Sequence, residues 1–383
     1  MGLAREPLAD AVLTRLSAPA AKALGPGPGR MMAARGLLPL AQPGELVTVL
    51  YQLAITDPAL TMIAQATADA LPDKMVAAAF ANPAVDPHVL DWMAKRAAKS
   101  PALIEALVLA PGVADDTIAD LAARGTAAAV DLIAGNEQRL LRCPAIVAAM
   151  YGNPAARMST VDRAVEQAVR AGVRVSGISA WDELARVVTG GAAPAAALAA
   201  KSEDALFVKA LAGAAAIADS VIIAGGEAAA EDGVAIAEGE DQAPAVDDDD
   251  VPIQKLSVPA KIRMATIGNA IARAILIRDP MKLVAVAAIK SPSVTDMEAA
   301  KYAGNHSLAH DVIRHIAGRR DWTRLYGVKK SLVLNPKTPL TESTKFLMHL
   351  RERDLRSIAT SKGIPSAVVA QAKKLMASRT GGK

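Results

Sequence analysis

The chain has 383 residues, enough for two ordinary domains or one long array, with 52% apolar residues, only 3% aromatic residues and a formal net charge of +4. Its abundant alanine favours helices over strands and predicts an all-α fold, while its single cysteine, Cys143, excludes an internal disulfide framework and indicates a reducing compartment. We find no basic and apolar leader and no run of about 18 strongly apolar residues, so secreted and membrane-spanning classes are excluded and we expect a soluble, cytoplasmic protein.

The N-terminal part predicts a capping region. Apolar residues at helical spacing predict one helix within residues 4–23, and the stretch Gly25–Gly29, with its alternating prolines, ends it. The segment Glu45–Ile55 predicts the second helix of an incomplete unit that caps the array following it.

A 43-residue repeat organises residues 57–172. Its anchors are Pro58, Pro101 and Pro144, each of which we expect at the first position of a helix, where the missing N–H costs little. About 15 residues later comes a residue type that caps helices, so each unit is predicted to be a helix, a short turn and a second helix. The predicted N-caps are Asp73, Asp116 and Ser159.

Apolar residues hold the same register. We predict that six of them are buried between neighbouring units, namely Leu60, Leu103, Ile146, Met75, Ile118 and Val161. Trp92 lies within this region and is interpreted as a packing residue. Because stacked helix pairs bury one another's apolar faces, the period predicts an α-solenoid of two-helix repeats.

The same pattern returns after an interruption, which predicts two arrays. The first covers residues 1–200 and the second covers 255–383. Between them we predict an irregular helix at 201–224 and a disordered acidic linker at 225–254, since that stretch has too few large apolar residues to order itself.

Charge divides along the same boundaries. Residues 201–250 hold 2 Lys and Arg against 13 Asp and Glu, a net charge of −11, whereas residues 251–383 hold 24 against 8, a net charge of +16. Such asymmetry bears on the choice of partner and not on the fold.

An Asp, Ser or Asn followed by proline recurs as the expected start of a helix. It stands at Asp57-Pro58, Ser100-Pro101, Asp279-Pro280 and Asn335-Pro336. On this signature the chain resembles HEAT-like and leucine-rich-variant α-solenoids over about two-thirds of its length, although it lacks the regular Asp and Arg of the commonest HEAT pattern. The resemblance implies a binding scaffold, nucleic acid being the ligand in some such families, and it carries over no catalytic residue.

Residues with reactive side chains form no recognisable catalytic motif. His306 and His310 have the four-residue spacing of a metal-binding pair, but no Glu follows His306 and no cysteine is near, so we interpret them as a helix-surface pair. Cys143 precedes a helix-starting proline, where its thiol could be reactive, but a small buried residue is the favoured interpretation. We predict no enzyme, and no catalytic, cofactor-binding or metal-binding residue.

The second array supplies the candidate binding surface. We expect an adaptor that binds the acidic surface of another protein through basic side chains. These are Arg319, Arg320, Arg324, Lys329, Lys330, Arg351, Arg353, Arg356, Lys373 and Lys374.

Nucleic acid is the alternative partner of this basic array. Residues 355–375 have the spacing of a helix-turn-helix, with Gly363 in the turn and Pro365 opening the second helix. The same spacing fits any pair of helices that closes a solenoid. Residues 251–383 also contain only four aromatic residues, few for stacking on single strands.

Overall fold

The computed structural model describes residues 2–38, 42–190, 197–224 and 252–380. Within these ranges the chain forms 25 α-helices, one 3₁₀ helix and no strand, which confirms the all-α prediction. The chain divides into two compact units, Met1–Gly177 and Ile178–Lys383.

The first unit contains thirteen helices among its described residues. They are α1 (Asp10–Leu13), α2 (Ala18–Leu24), α3 (Gly29–Ala34), α4 (Pro43–Thr56), α5 (Thr61–Ala70), α6 (Asp73–Phe80), α7 (Pro87–Ala97), α8 (Pro101–Val108), α9 (Asp115–Arg124), α10 (Ala127–Ala134), α11 (Glu137–Arg142), α12 (Pro144–Gly152) and α13 (Met158–Arg170).

The second unit contains twelve α-helices in the part that the structure describes, and the 3₁₀ helix Ile253–Lys255. They are α14 (Trp181–Thr189), α15 (Ala197–Ala224), α16 (Val258–Ile267), α17 (Ala270–Leu276), α18 (Lys282–Lys290), α19 (Asp296–Gly304), α20 (His310–Gly318), α21 (Arg320–Thr323), α22 (Tyr326–Leu334), α23 (Leu340–Leu347), α24 (Glu352–Thr360) and α25 (Ser366–Thr380).

Short helices pack on neighbours that follow closely in the chain. In the first unit α4 packs on α5 and α6, α6 on α8, α8 on α10, and α9 on α12. In the second unit α16 packs on α18, α18 on α20, α19 on α22, and α24 on α25. No helix in the described ranges is both long and apolar enough to cross a membrane.

The predicted domain limits and the observed units differ in one respect. Helix α14 belongs to the second unit, where the Glu183 carboxylate accepts a hydrogen bond from Lys290 Nζ at 2.9 Å. The predicted helix at 201–224 lies within α15. Of the predicted acidic linker, residues 225–251 lie outside the described residues, and Ile253 at its end is buried.

The N-terminal prediction of one helix within residues 4–23 is wrong. Two short helices, α1 and α2, stand there, and residues 2–9 have no regular secondary structure. The break at Gly25–Gly29 is confirmed, since α3 begins only at Gly29 and Gly27 has a φ of +136°, a conformation that favours glycine. The segment Glu45–Ile55 lies within α4, as predicted.

The 43-residue intervals hold more helices than predicted. Three helices, α5 to α7, lie between Pro58 and Pro101, and four, α8 to α11, lie between Pro101 and Pro144. The prediction of two helices per interval is therefore wrong over this region. Breaks such as Gly125 and Thr126, the latter the N-cap of α10, divide what we expected to be single helices.

The three predicted N-caps lie one or two residues inside their helices. The actual N-cap positions are Pro72, Ala114 and Arg157, and none of these accepts a side-chain capping hydrogen bond. Asp73 instead accepts a hydrogen bond from Ser100 Oγ at 2.7 Å and pairs with Arg96, both further along the chain. The N-cap prediction is wrong because a carboxylate near the start of a helix can also bind side chains further along the chain.

The proline signature marks two different structures. At Ser100-Pro101 the proline opens α8, as predicted. At Asp57, Asp279 and Asn335 the residue follows a helix, and its side chain accepts the N–H two residues ahead, at 3.1, 2.8 and 3.0 Å respectively. The predicted helix start is wrong at these three positions, because Asp and Asn before proline also favour this side-chain turn.

Burial agrees with the predicted register at five of six positions. Leu60, Leu103, Ile146, Ile118 and Val161 are all buried. Met75 is 36% exposed, and its neighbour Val76 is buried instead, so the register slips by one residue in α6.

The packing role of Trp92 is confirmed. The side chain is buried, and its ring meets the ring of Tyr51 edge-on with centroids 5.8 Å apart.

Candidate interaction surface on the second unit

The junction of α20 and α21 holds an arginine stacked on a tryptophan. Arg319 is both the C-cap of α20 and the N-cap of α21, and its guanidinium lies 4.8 Å from the centroid of the Trp322 ring. The tryptophan is buried while the arginine is exposed. The aromatic ring therefore fixes the position of a positive charge at the surface.

A second arginine is held in the same way where α22 and α24 begin. The Arg351 guanidinium lies 4.8 Å from the centroid of the Tyr326 ring, and the Arg351 N–H donates to Tyr326 Oη at 3.0 Å. The Tyr326 hydroxyl donates to Asp354, whose other oxygen pairs with Lys330 Nζ at 3.0 Å. Two cations, one phenol and one carboxylate thus form a connected cluster, which we call the Tyr326 cluster.

The protonation states of this cluster support the geometry. Burial and the hydrogen bond to Asp354 raise the pKa of Tyr326, so its hydroxyl keeps its proton and acts as the donor. Burial by itself raises the pKa of Asp354, but the hydrogen bonds from Tyr326 and Lys330 lower that pKa overall. The carboxylate therefore stays charged and holds both partners in place.

Next to the Trp322 ring lies a set of titratable groups, of which Glu183 is buried and His315 and Lys290 are half-buried. The His315 ring meets the Trp322 ring edge-on, with centroids 6.1 Å apart. Among the described residues, His315 Nε2 and Glu183 Oε2 are buried without a hydrogen-bond partner, while Glu183 Oε1 accepts from Lys290 Nζ. Burial lowers the pKa of His315, the charges of Arg319 and Lys290 lower it further, and Glu183 opposes them.

The other predicted surface residues differ in whether they form ion pairs. Arg324 lies 3.8 Å from Asp321 on the neighbouring turn, and Arg356 pairs with Glu352. No other described residue forms an ion pair with the remaining five, of which Lys329 is half-buried and the rest are exposed. They are Arg320, Lys329, Arg353, Lys373 and Lys374.

Only part of the predicted set is brought together. Arg351 and Lys330 meet through Tyr326 and Asp354, although 21 positions separate their numbers. Lys373 and Lys374 stand on α25, and the structure records no contact that joins them to this cluster. Sequence reasoning missed the two aromatic residues and the carboxylate, because their role depends on contacts between helices.

Two helices span the predicted helix-turn-helix region at 355–375, and the second begins at the predicted position. Helix α24 ends at Thr360, α25 begins at Ser366 directly after Pro365, and the two helices pack together. Ile358, Val368 and Ala372 are buried, whereas Val369 is only half-buried. The use of this pair in reading DNA stays a prediction.

The described residues contain no group of three or more His, Cys, Asp and Glu side chains placed to hold a metal ion. The pair His306 and His310 therefore has no further ligand among them. His306 lies between α19 and α20 and only His310 stands on a helix, so the interpretation of the two as a helix-surface pair is wrong. The Nδ1 of His310 is 3.3 Å from Arg314 Nη2.

Comparisons of the chain with protein-family models, with curated proteins and with solved structures found no match.

Proposed function

We propose that this protein is a non-enzymatic adaptor that binds an acidic surface of another protein through the second unit. The observation that carries the proposal is the pair of arginines held over aromatic rings, Arg319 on Trp322 and Arg351 on Tyr326. An arginine whose side chain is already ordered loses less conformational entropy when it meets a carboxylate. The uncompensated cations around it, Arg320 and Arg353 among them, add attraction at longer range.

The burial of the aromatic rings favours an acidic protein over single-stranded nucleic acid as the partner. Trp322, Tyr302 and Phe346 are buried, and an arginine lies over the half-buried Tyr326. Stacking on bases needs an open ring face, which these side chains do not offer.

The proposal includes an α-solenoid architecture of the HEAT-like kind for each unit. It is supported by the packing of each short helix on helices that follow soon after it, as in α4, α6, α8 and α10. The single cysteine fits a reducing compartment, and we place the adaptor in the cytoplasm on that ground.

Duplex nucleic acid is the second candidate partner. The observation in its favour is the pair α24 and α25 with Lys373 and Lys374 exposed on the second helix. Phosphate-driven binding falls steeply with salt concentration, and binding of a duplex by this helix would need Lys373 and Lys374, so the effect of changing these two lysines distinguishes the two partners.

The test uses the full chain and two fluorescent probes, a 20-residue polyglutamate peptide and a mixed-sequence DNA duplex. The double variant Arg319→Gln/Arg351→Gln should bind polyglutamate about tenfold more weakly than the wild type, because both ordered charges are gone. The matched control is Lys282→Gln/Lys301→Gln, which removes two exposed cations from α18 and α19 and should change affinity less than about twofold.

Three outcomes decide between the candidates. Equal loss in both double variants would mean that net charge alone matters and would remove the basis of the proposal. Tighter binding of the duplex, with a steep salt slope and a loss on changing Lys373 and Lys374, would favour nucleic acid. Binding of neither probe would contradict both.

A further inference from the structure

Residues 2–9 lie without regular secondary structure across α4, α7 and α9 of the first unit. The Leu8 N–H donates to Gln52 Oε1 at 2.9 Å, and the Glu6 carbonyl accepts from the Tyr51 hydroxyl at 2.7 Å. Arg5 Nη1 pairs with Asp91 Oδ2 at 3.1 Å. Two side chains of α4 thus bind the backbone of the crossing segment, and a carboxylate of α7 binds its arginine.

Three of the contacting residues, Gly2, Arg5 and Leu8, stand three positions apart, whereas Glu6 contributes only its carbonyl. A Cβ added at Gly2 would lie only 2.6 Å from Asp91 Oδ1, so glycine fits closely against the carboxylate. Three residues on, Arg5 pairs with that carboxylate, and three further on the Leu8 side chain is buried. Three residues per turn is the period of polyproline II, and Ala9, with φ −63° and ψ 146°, has its dihedral angles.

The receiving surface is built of buried polar groups. Asp91 is only 4% exposed, and its second oxygen accepts from Thr117 Oγ1 at 2.7 Å, which fixes the carboxylate between α7 and α9. Gln52 is also buried. A buried carboxylate and amide are costly without partners, and the crossing segment supplies those partners.

The segment leaves room on both sides of its arginine. One depression of about 450 Å³ is lined by Trp92, Gln65 and Lys99, and another of about 440 Å³ by Leu3, Leu121 and Arg124. Arg5 and Lys95 line both.

The lysines of these depressions are uncompensated. Neither Lys95 nor Lys99 forms an ion pair with a described residue, and both are exposed. The exposed Glu6, next to Arg5, forms no ion pair with either lysine, so a longer peptide whose acidic side chains reach Lys95 and Lys99 would gain contacts that residues 2–9 do not make.

We propose that this groove is a binding site for an extended peptide of a partner protein, with an arginine three residues before a leucine, and that residues 2–9 occupy it as an internal ligand. The site is separate from the basic surface of the second unit and does not depend on the function proposed there. The internal segment has an effective concentration in the millimolar range, so a peptide with only the same contacts does not displace it at micromolar concentration. A partner peptide displaces residues 2–9 when its acidic residues reach Lys95 and Lys99, or when substitutions weaken the contacts of residues 2–9.

The test uses the full chain with the internal segment weakened by Arg5→Ala/Leu8→Ala. The probe is a fluorescent nine-residue peptide with the sequence of residues 2–10, and its control carries alanine in place of arginine and leucine. The weakened variant should bind the probe at least tenfold more tightly than the wild type does, and the control peptide should not bind. Adding Asp91→Asn should abolish the gain, because the carboxylate that receives the arginine is lost.

Two results would overturn the proposal. One is a weakened variant with unchanged circular dichroism that fails to bind the probe, or that binds probe and control equally. If that variant does not fold, hydrogen exchange of the wild type decides. The Leu8 amide should exchange through a local opening, at least tenfold faster than the amide of Leu50 in the middle of α4. Equal rates for both amides would make the segment an inseparable part of the fold.

Discussion

At the scale of single residues, exposure separates positions that the sequence presents as alike. Leu103 and Leu109 are leucines at the start and the end of α8, yet the first is fully buried and the second is 74% exposed. Helical spacing places Leu103 towards the neighbouring helices, and Leu109 stands past the last turn.

We expect Leu103→Ala to lower the free energy of unfolding by about 2–5 kcal/mol, because it leaves a cavity in a packed interior. Leu109→Ala is the matched control and should change that free energy by less than about 0.5 kcal/mol. Urea unfolding of both variants checks this. Similar losses in the two variants would contradict the burial pattern.

His315 gives an expectation for pH. Its pKa is lowered by burial and by Arg319 and Lys290, against the opposing charge of Glu183, so the folded chain favours the neutral ring. The unfolded chain binds the proton more readily. The contribution of His315 to the free energy of unfolding is therefore fully present above the ordinary histidine pKa of about 6.5 and is lost as pH falls below it.

The wild type should therefore lose stability between pH 7.5 and pH 5, and His315→Leu should lose less over the same range. Urea unfolding at both pH values measures the difference. A variant with the same pH dependence as the wild type would show that His315 does not contribute.

At the scale of elements, asparagines at helix ends join neighbouring helices. Asn153 Nδ2 donates to the carbonyls of Ala122 and Gly125 at 2.8 and 2.9 Å, and Asn335 Nδ2 donates to those of Ala303 and Asn305 at 2.9 and 3.1 Å. These carbonyls lie at or beyond the C-termini of α9 and α19, where the helices leave acceptors free. One side chain thus closes its own turn and caps the end of an earlier helix.

We expect Asn153→Asp to lower the free energy of unfolding by about 1–3 kcal/mol, since it removes both donors and puts a carboxylate against two carbonyls. The matched control is Asn82→Asp, because Asn82 also precedes a proline but, among the described residues, contributes only its Oδ1, to the Ala84 N–H at 3.0 Å. Thermal unfolding compares the two. A control variant as unstable as Asn153→Asp would show that the turn, and not the link between helices, matters.

At the scale of the whole molecule, charge is the feature that the sequence shows most plainly. Residues 227–250 hold ten acidic and no basic residues, and they precede a segment of net charge +16. Their positions lie outside the described residues, so the expectation rests on charge and on chain length alone.

Replacing Asp247–Asp250 with asparagine should raise the affinity of the full chain for polyglutamate at low salt, because four charges that compete for the basic surface are removed. The gain should shrink at physiological salt, where screening acts within about 8 Å. The same replacement in Arg319→Gln/Arg351→Gln is the control and should give a smaller gain. Unchanged affinity at both salt concentrations would leave the acidic stretch as a spacer.

The sequence alone determined the helical class and the burial of residues such as Leu103 and Ile118. These follow from alanine content and from apolar spacing within one or two helical turns, which are local properties. Only the tertiary structure decided what each polar residue near a helix end does. Asp57 and Asp73 both stand at predicted helix starts. In the structure Asp73 pairs with Arg96 on another helix, whereas Asp57 closes a turn.

The two candidate sites show the same division. The sequence marks a basic C-terminal part, but packing decides that Arg319 and Arg351 are held on aromatic rings while Lys373 and Lys374 stand apart. The groove under residues 2–9 had no sequence signal, because Arg5 and Asp91 are 86 positions apart. Contacts over such separations are selected by how helices pack together, whereas propensity and spacing act between near neighbours in the chain.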